Sequence, residues 1–129
     1  MVECSSLAAP LGLYSHVSRV KSGNPVYIAG QVGVDAQGRL VGPDFSAQMR
    51  QTFENLRIAL KAAGGTFADV AKFTTYVTRD TDLPAFMQTR EEIFANLYPT
   101  GSYPPNTLLV INRLVKPELL IEIEAIAVV

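Results

Sequence analysis

Two glutamates alternate with apolar residues near the C-terminal end of the chain. Glu122 and Glu124 lie within the run Leu119-Leu120-Ile121-Glu122-Ile123-Glu124-Ala125-Ile126-Ala127. So many β-branched residues favour a strand, and because side chains alternate across a strand, both carboxylates point to the same side. A charged group on an otherwise apolar strand needs water, an interface or a pocket on that side. A carboxylate in a pocket is suited to acid–base chemistry.

The composition indicates one ordinary globular domain. The chain has 129 residues, of which 48% are hydrophobic and 18% are charged. This length is enough for one core and too short for two typical domains, so we expect a single domain over residues 1–129. The net charge of −1 argues against a nucleic-acid partner, which usually requires a basic face. A single cysteine, Cys4, excludes an internal disulfide.

Neither a signal peptide nor a membrane span is expected. The first residues do not combine a basic segment with a following apolar core. No apolar run approaches the roughly 20 residues that a membrane helix requires. The expectation is therefore a soluble, cytoplasmic protein that has no membrane partner.

The order of hydrophobic periods predicts a mixed α+β fold. A turn signal at Ser22-Gly23-Asn24-Pro25 between two β-rich segments predicts an N-terminal hairpin. Apolar residues three or four apart predict two helices, the first capped by Asp44 or Ser46 and the second by Asp82. The predicted elements are strands at 16–21, 26–32 and 39–41, a helix at 45–63, a strand at 70–78, a helix at 83–98 and two closing strands. Both helices need an apolar surface, so we expect them on one face of a mixed β-sheet, as a two-layer sandwich.

The second face of this predicted sheet is more apolar than a face exposed to water. We place Tyr27, Tyr76, Val110 and Ile123 on it. An apolar sheet face that no helix covers usually contacts a partner. The sequence therefore predicts association of several copies through the sheet.

Four stretches resemble the motifs of one family, in the same order along the chain. The last stretch is the most specific, because it resembles the family signature V-E-I-E-A-I-A almost residue for residue. The four stretches are Ala9-Pro10-Leu11-Gly12-Leu13-Tyr14-Ser15, Ile28-Ala29-Gly30-Gln31-Val32, Gln48-Met49-Arg50-Gln51-Thr52-Phe53-Glu54-Asn55-Leu56 and Ile121-Glu122-Ile123-Glu124-Ala125-Ile126-Ala127. Together they resemble the YjgF/RidA family of imine deaminases over nearly the whole chain.

The resemblance implies a fold, an assembly and a reaction. The fold would be chorismate-mutase-like, and the assembly a homotrimer with its sheets packed inward and a small-molecule pocket at each subunit cleft. The reaction would be hydrolysis of an enamine or imine, such as 2-aminoacrylate, to a keto acid and ammonia. The resemblance implies neither a metal nor an organic cofactor. Such chemistry needs a cation for the substrate carboxylate, a group that positions water, and donors for the developing charge.

Three residues match pocket positions of the family. Glu122 matches the glutamate that orients or activates water, although an interface carboxylate is the alternative reading. Tyr14 matches a pocket tyrosine that comes from a neighbouring subunit, and it could also seal that interface. Gly30 matches a glycine whose backbone approaches the ligand, and a strand bulge is its alternative. Glu124 has no chemical role in the family, so we interpret it as structural.

Four other pocket positions depart from the family pattern. Asn106 stands in Pro104-Pro105-Asn106-Thr107, where active members have an arginine that binds the substrate carboxylate. The other departures are Leu108, Ala29 and Met87, each of which is neutral or apolar. A hydrogen bond to a charged group contributes about 1.5–3 kcal/mol, so losing the arginine weakens binding on the order of ten- to more than a hundredfold.

The sequence therefore predicts weak or no activity on 2-aminoacrylate, and a substrate that is neutral or apolar near position 106. Strand alternation would point Arg113 away from Asn106, and we interpret Arg79 and Arg19 as surface charges. The alternative function is a non-catalytic trimer that binds a metabolite or acts like a chaperone. Nuclease activity fits poorly with the acidic balance and the lack of a basic stripe.

Overall fold

One mixed sheet and two long helices make up the chain, whose computed structural model describes residues 1–129. The elements in chain order are β1 (Pro25–Val32), α1 (Phe45–Ala62), β2 (Val70–Val77), α2 (Leu83–Leu97), β3 (Asn106–Val110) and β4 (Ile121–Val128). Single 3₁₀ turns precede β2 and α2. The arrangement confirms the expected α+β sandwich, with both helices on one face of the sheet.

The C-terminal strand β4 lies in the interior of the sheet. The strands are ordered β1-β4-β2-β3; β4 runs antiparallel to both of its neighbours, and β2 and β3 are parallel. Every second residue of β4 is buried beneath the helices: Ile121, Ile123, Ala125 and Ala127. Glu122 and Glu124 consequently point to the face that the helices leave open.

Both helices begin close to the predicted positions. The buried face of α1 carries the apolar residues that predicted it, and the Asp44 carboxylate accepts a hydrogen bond from the Ala47 amide at 2.8 Å. Asp82 occupies the predicted N-cap position of α2, but its side chain makes no capping hydrogen bond. Its carboxylate instead pairs with Arg79, at 2.7 Å from Nε. Neither helix has the length and apolarity for a membrane crossing.

The predicted N-terminal hairpin is wrong. Residues 16–21 form no strand, and within that segment Val17 makes only an isolated bridge with Val2. The turn chemistry at 22–25 is local, whereas the partner of β1 comes from the other end of the chain. Asn24 exchanges two backbone hydrogen bonds with Val129, at 2.7 and 3.0 Å, and this pairing continues as β1 against β4. The brief pairing predicted at 39–41 is confirmed as a bridge between Val34 and Leu40.

Two of the four residues predicted on the open sheet face lie there. Tyr27 is 76% exposed and pairs with Ile126, and Tyr76 pairs with Glu122. Ile123 was assigned wrongly, because it is only 1% exposed beneath the helices. Val110 was also assigned wrongly, because its register partner is the fully buried Val77 and neighbouring strand residues share a face.

A buried glutamine joins α1 to the segment that leads into β4. The Gln48 side chain is fully buried and donates from Nε2 to the carbonyls of Gly42 and Glu118, at 3.0 and 3.1 Å. Its Oε1 accepts from the Leu120 amide at 2.9 Å. Two of these three backbone groups, on Glu118 and Leu120, lie just before β4 begins, so the bonds help to set where that strand starts.

Replacing this glutamine should destabilise the fold. Gln48→Leu leaves three backbone groups without their partners, and we expect the free energy of unfolding to fall by about 2–4 kcal/mol. Urea unfolding at a fixed protein concentration measures the change. Gln88→Leu on the exposed side of α2 is the matched control and should change stability by less than about 0.5 kcal/mol. Equal effects of the two substitutions would contradict this role.

Candidate functional site

The residues predicted for the site fall into two groups on different sides of the sheet. Tyr14, Met87, Asn106 and Leu108 line one pocket of about 240 Å³, together with Leu11, Gly12 and Arg90. Ala29, Gly30 and Glu122 meet where β1 pairs with β4. The pocket groups four of the seven predicted residues, and a single chain does not bring Glu122 to them.

The N-terminal arm brings Tyr14 to the pocket. Next to it, the Ser15 hydroxyl donates to the Tyr103 carbonyl at 2.5 Å, and the Ser15 amide donates to the Pro104 carbonyl at 3.4 Å. The Tyr14 hydroxyl accepts a hydrogen bond from the Leu11 amide at 3.2 Å. The arm is therefore fastened to the loop that precedes β3, which places Tyr14 beside the start of that strand.

The Asn106 side chain is hydrogen-bonded through its oxygen, and its amide nitrogen is free. It lies in register with Phe73 on the helix side of the sheet. Its Oδ1 accepts a hydrogen bond from the hydroxyl of the buried Thr75 at 2.8 Å. The Nδ2 amide makes no hydrogen bond within the chain, so it can donate to a ligand in the pocket.

Arg90 is a pocket residue that the sequence reasoning missed. It is only 3% exposed, and its Nε has no hydrogen-bond partner. Nη2 contacts the Met87 sulfur at 3.3 Å, and the guanidinium lies 4.8 Å from the centre of the Phe86 ring. Burial lowers the pKa of Arg90, although the nearby Tyr14 and Tyr103 oppose this effect. The signal was its spacing, four residues from both Phe86 and Phe94 on the apolar face of α2.

The other arginines considered for the site lie elsewhere. Arg79 pairs with Asp82 before α2. Arg113 lies beyond the end of β3, so strand alternation does not apply to it, and it donates to the carbonyls of Leu114 and Val115 at 3.0 Å. Arg19 is exposed and does not line the pocket. Arg90 is thus the cation of this pocket.

Gly30 lies in a bulge directly against Glu122. The β1–β4 register shifts between Ile28 and Gln31, so Ala29 and Gly30 together oppose a single residue of β4. A Cβ atom added to Gly30 would lie 2.6 Å from the carboxyl carbon of Glu122. A larger residue at position 30 would therefore require the Glu122 side chain to move. Ala29 is exposed, and its carbonyl accepts from the Gln31 side chain at 3.1 Å.

The two glutamates of β4 have different surroundings. Glu124 accepts a hydrogen bond from the Tyr76 hydroxyl at 2.8 Å, whereas no hydrogen bond or ion pair in the chain engages the Glu122 carboxylate. Burial and, to a lesser degree, the negative charge of Glu124 raise the pKa of Glu122. A half-buried, unpaired carboxylate with a raised pKa is suited to exchange a proton with a reacting group.

The two groups carry complementary chemistry. The pocket presents the guanidinium of Arg90 and the free amide of Asn106, whereas the β1–β4 bulge presents the Glu122 carboxylate. Asn106 and Leu108 lie in register with residues on the helix side, and Glu122 points to the open side. The sheet therefore separates the polar pocket groups from the Glu122 carboxylate within one chain.

Comparison with known proteins shows which family the chain belongs to. The family model described as Endoribonuclease L-PSP matches residues 5–129. A RutC family protein of Pyrococcus horikoshii is 38% identical over 92% of this chain and 88% of its own length. A 2-iminobutanoate/2-iminopropanoate deaminase of Salmonella typhimurium is 36% identical over 93% of this chain and 91% of its own length.

A solved structure has the same fold. It is a protein of unknown function of the conserved Rid protein family, YyfB from Yersinia pestis. It is 36% identical, with a TM-score of 0.87 over 99% of this chain and 96% of the other. The family model covers the complete sheet and both helices, as well as the arm that carries Tyr14. The chain therefore belongs to the YjgF/RidA family.

Proposed function

We propose that the protein hydrolyses imines or enamines to carbonyl compounds and ammonia, with Glu122 as the base. The observation that carries the proposal is the unpaired, half-buried Glu122 carboxylate against Gly30, whose pKa burial raises. The deaminase relative at 36% identity supports the reaction class.

We propose that a second copy of the chain completes each site, in a homotrimer. Each chain carries a binding pocket on the helix side and a base on the open side. The open side also presents Tyr27, which is 76% exposed. Packing this side on the pocket of a neighbour would cover the tyrosine and bring Glu122 towards Asn106 and Tyr14.

The reaction balances without a cofactor. Glu122 takes a proton from water while the water oxygen bonds to the imine carbon, and it returns this proton to the imine nitrogen. In the resulting carbinolamine the hydroxyl proton moves to the nitrogen by way of Glu122, the C–N bond breaks to release ammonia, and the hydroxyl oxygen becomes the carbonyl oxygen. Asn106 Nδ2 supplies a neutral hydrogen bond to the substrate, and Tyr14 and the Gly30 backbone shape the site.

The residue at position 106 is the reason to expect low activity on the smallest imino acids. The asparagine there offers an amide donor, but it cannot form the two charge-assisted bonds that an arginine fork makes with a carboxylate. Met87 and Leu108 of the same pocket add no charge, and the Arg90 guanidinium comes from α2 and not from β3. We therefore propose weak turnover of 2-aminoacrylate and of its tautomer 2-iminopropanoate.

The pH dependence should identify Glu122 as the base. The carboxylate form is active, and its pKa is raised above the usual 4.5. Activity should therefore fall with decreasing pH at a higher pH than an ordinary glutamate would give. Glu124→Gln removes the second cause of the shift and should move this fall towards lower pH. The measurement is kcat/KM against pH for 2-iminobutanoate.

Glu122→Gln separates catalysis from stability. Activity should fall at least a hundredfold, within the range of general-base catalysis. Because the folded-state pKa is raised, the charged carboxylate opposes folding above that pKa and not below the unfolded value. The Tm of Glu122→Gln at pH 7 should thus equal or exceed that of the native protein. A lower Tm with retained activity would contradict the catalytic role.

Restoring the arginine should restore activity on the smallest substrate. Asn106→Arg should raise kcat/KM for 2-iminopropanoate at least tenfold, because a charge-assisted bond adds about 1.5–3 kcal/mol. Release of ammonia and pyruvate measures turnover, and Asn106→Gln is the neutral control. Native activity equal to that of the arginine variant would contradict the role of position 106. No turnover by either protein would favour the metabolite-binding alternative.

A further inference from the structure

Arg90 is unusual among the arginines of the chain because it is buried without a counter-charge. Four ion pairs occur, and they involve Arg39, Arg50, Arg57 and Arg79. Each of these arginines is at least half exposed, whereas Arg90 is 3% exposed and unpaired. Buried charges normally have a partner, because removing them from water is costly.

The contacts of Arg90 within the chain compensate this charge only in part. A thioether is a weak acceptor, and the Phe86 ring 4.8 Å away supplies a cation–π contact. Nε remains without any acceptor. Neither contact neutralises the charge, so the guanidinium retains an unfilled capacity for an anion.

Gly12 of the N-terminal arm lies directly against this guanidinium. A Cβ atom on Gly12 would lie 2.5 Å from Nη2 of Arg90, so the glycine leaves the space that the guanidinium occupies. Arg90 lines the same pocket as Asn106, which has a free amide. The remaining lining includes Leu11, Met87 and Leu108, which are apolar.

We propose that Arg90 binds the carboxylate of the ligand from α2, and so supplies the cation that position 106 on β3 lacks. The ligand class is a monocarboxylate with an apolar side chain, which fits the leucine and methionine lining. This inference rests on the proposed function in one respect, that this pocket is the substrate site. It replaces the expectation of a neutral ligand, which was reached without counting Arg90.

A binding experiment that needs no turnover tests this assignment. The probes are 4-methyl-2-oxopentanoate and its neutral methyl ester, titrated into the full chain by NMR. The native protein should bind the acid about ten- to a hundredfold more tightly than the ester, as expected for a charge-assisted bond. Arg90→Met should lose this preference, and Arg90→Lys should keep part of it.

Controls separate ligand binding from packing and from assembly. Arg57→Met removes an exposed arginine and should leave the acid preference unchanged. Arg90→Met should not lower the Tm, because it removes an uncompensated buried charge. An unchanged acid preference in Arg90→Met would overturn the proposal. If the oligomer also dissociated, a carboxylate of a neighbouring copy would be the partner of Arg90.

The same variants distinguish this inference from the proposed reaction. If the native protein binds the acid through Arg90 but does not turn over 2-iminobutanoate, the carboxylate-binding role of Arg90 is supported and the proposed hydrolase activity is rejected. If the native protein turns over the imine and Arg90→Met binds acid and ester as the native protein does, the hydrolase activity is supported and the carboxylate-binding role of Arg90 is rejected. Failure of the native protein to prefer the acid would also reject the anion site.

Discussion

The alternation of β4 is the constraint on which the rest of the structure depends. Ile121, Ile123, Ala125 and Ala127 are buried under the helices, and this forces Glu122 and Glu124 to the open side. A one-residue slip would bury both carboxylates and expose the core side of the strand. Because β2 separates β4 from β3, the same constraint keeps Glu122 away from Asn106. The proposal that a second copy completes each site rests on this topology.

In the proposed assignment, the site keeps a cation but holds it in another position. An arginine at position 106 would contact the substrate carboxylate from β3. Arg90 would contact it from α2, beside Gly12. A cation in a new position changes where the carboxylate lies and therefore where the imine carbon lies relative to the base. Substrate preference within the family can then change without a change in Glu122 chemistry.

Local patterns predicted most of the fold, and non-local pairing explains the errors. The apolar spacing of α1 and the β-branched run of β4 were sufficient to predict both elements. The hairpin was wrong because the turn at 22–25 does not reveal that β1 pairs with β4. The predicted pocket residues proved to be neighbours in part, and their division between two faces required the strand order. The sequence places Arg90 as a charge on the apolar face of α2, but it does not predict that this charge is buried.

Mixing two inactive variants tests the central claim, that each site is shared between copies. Glu122→Gln removes the base from the open side, and Leu108→Trp fills the pocket on the helix side. Each variant alone should be inactive on 2-iminobutanoate. After unfolding and joint refolding of equal amounts, about a quarter of the sites in a ring of three copies would be intact, so roughly that share of native activity should return. No recovery, from mixed oligomers confirmed by mass spectrometry, would contradict the account.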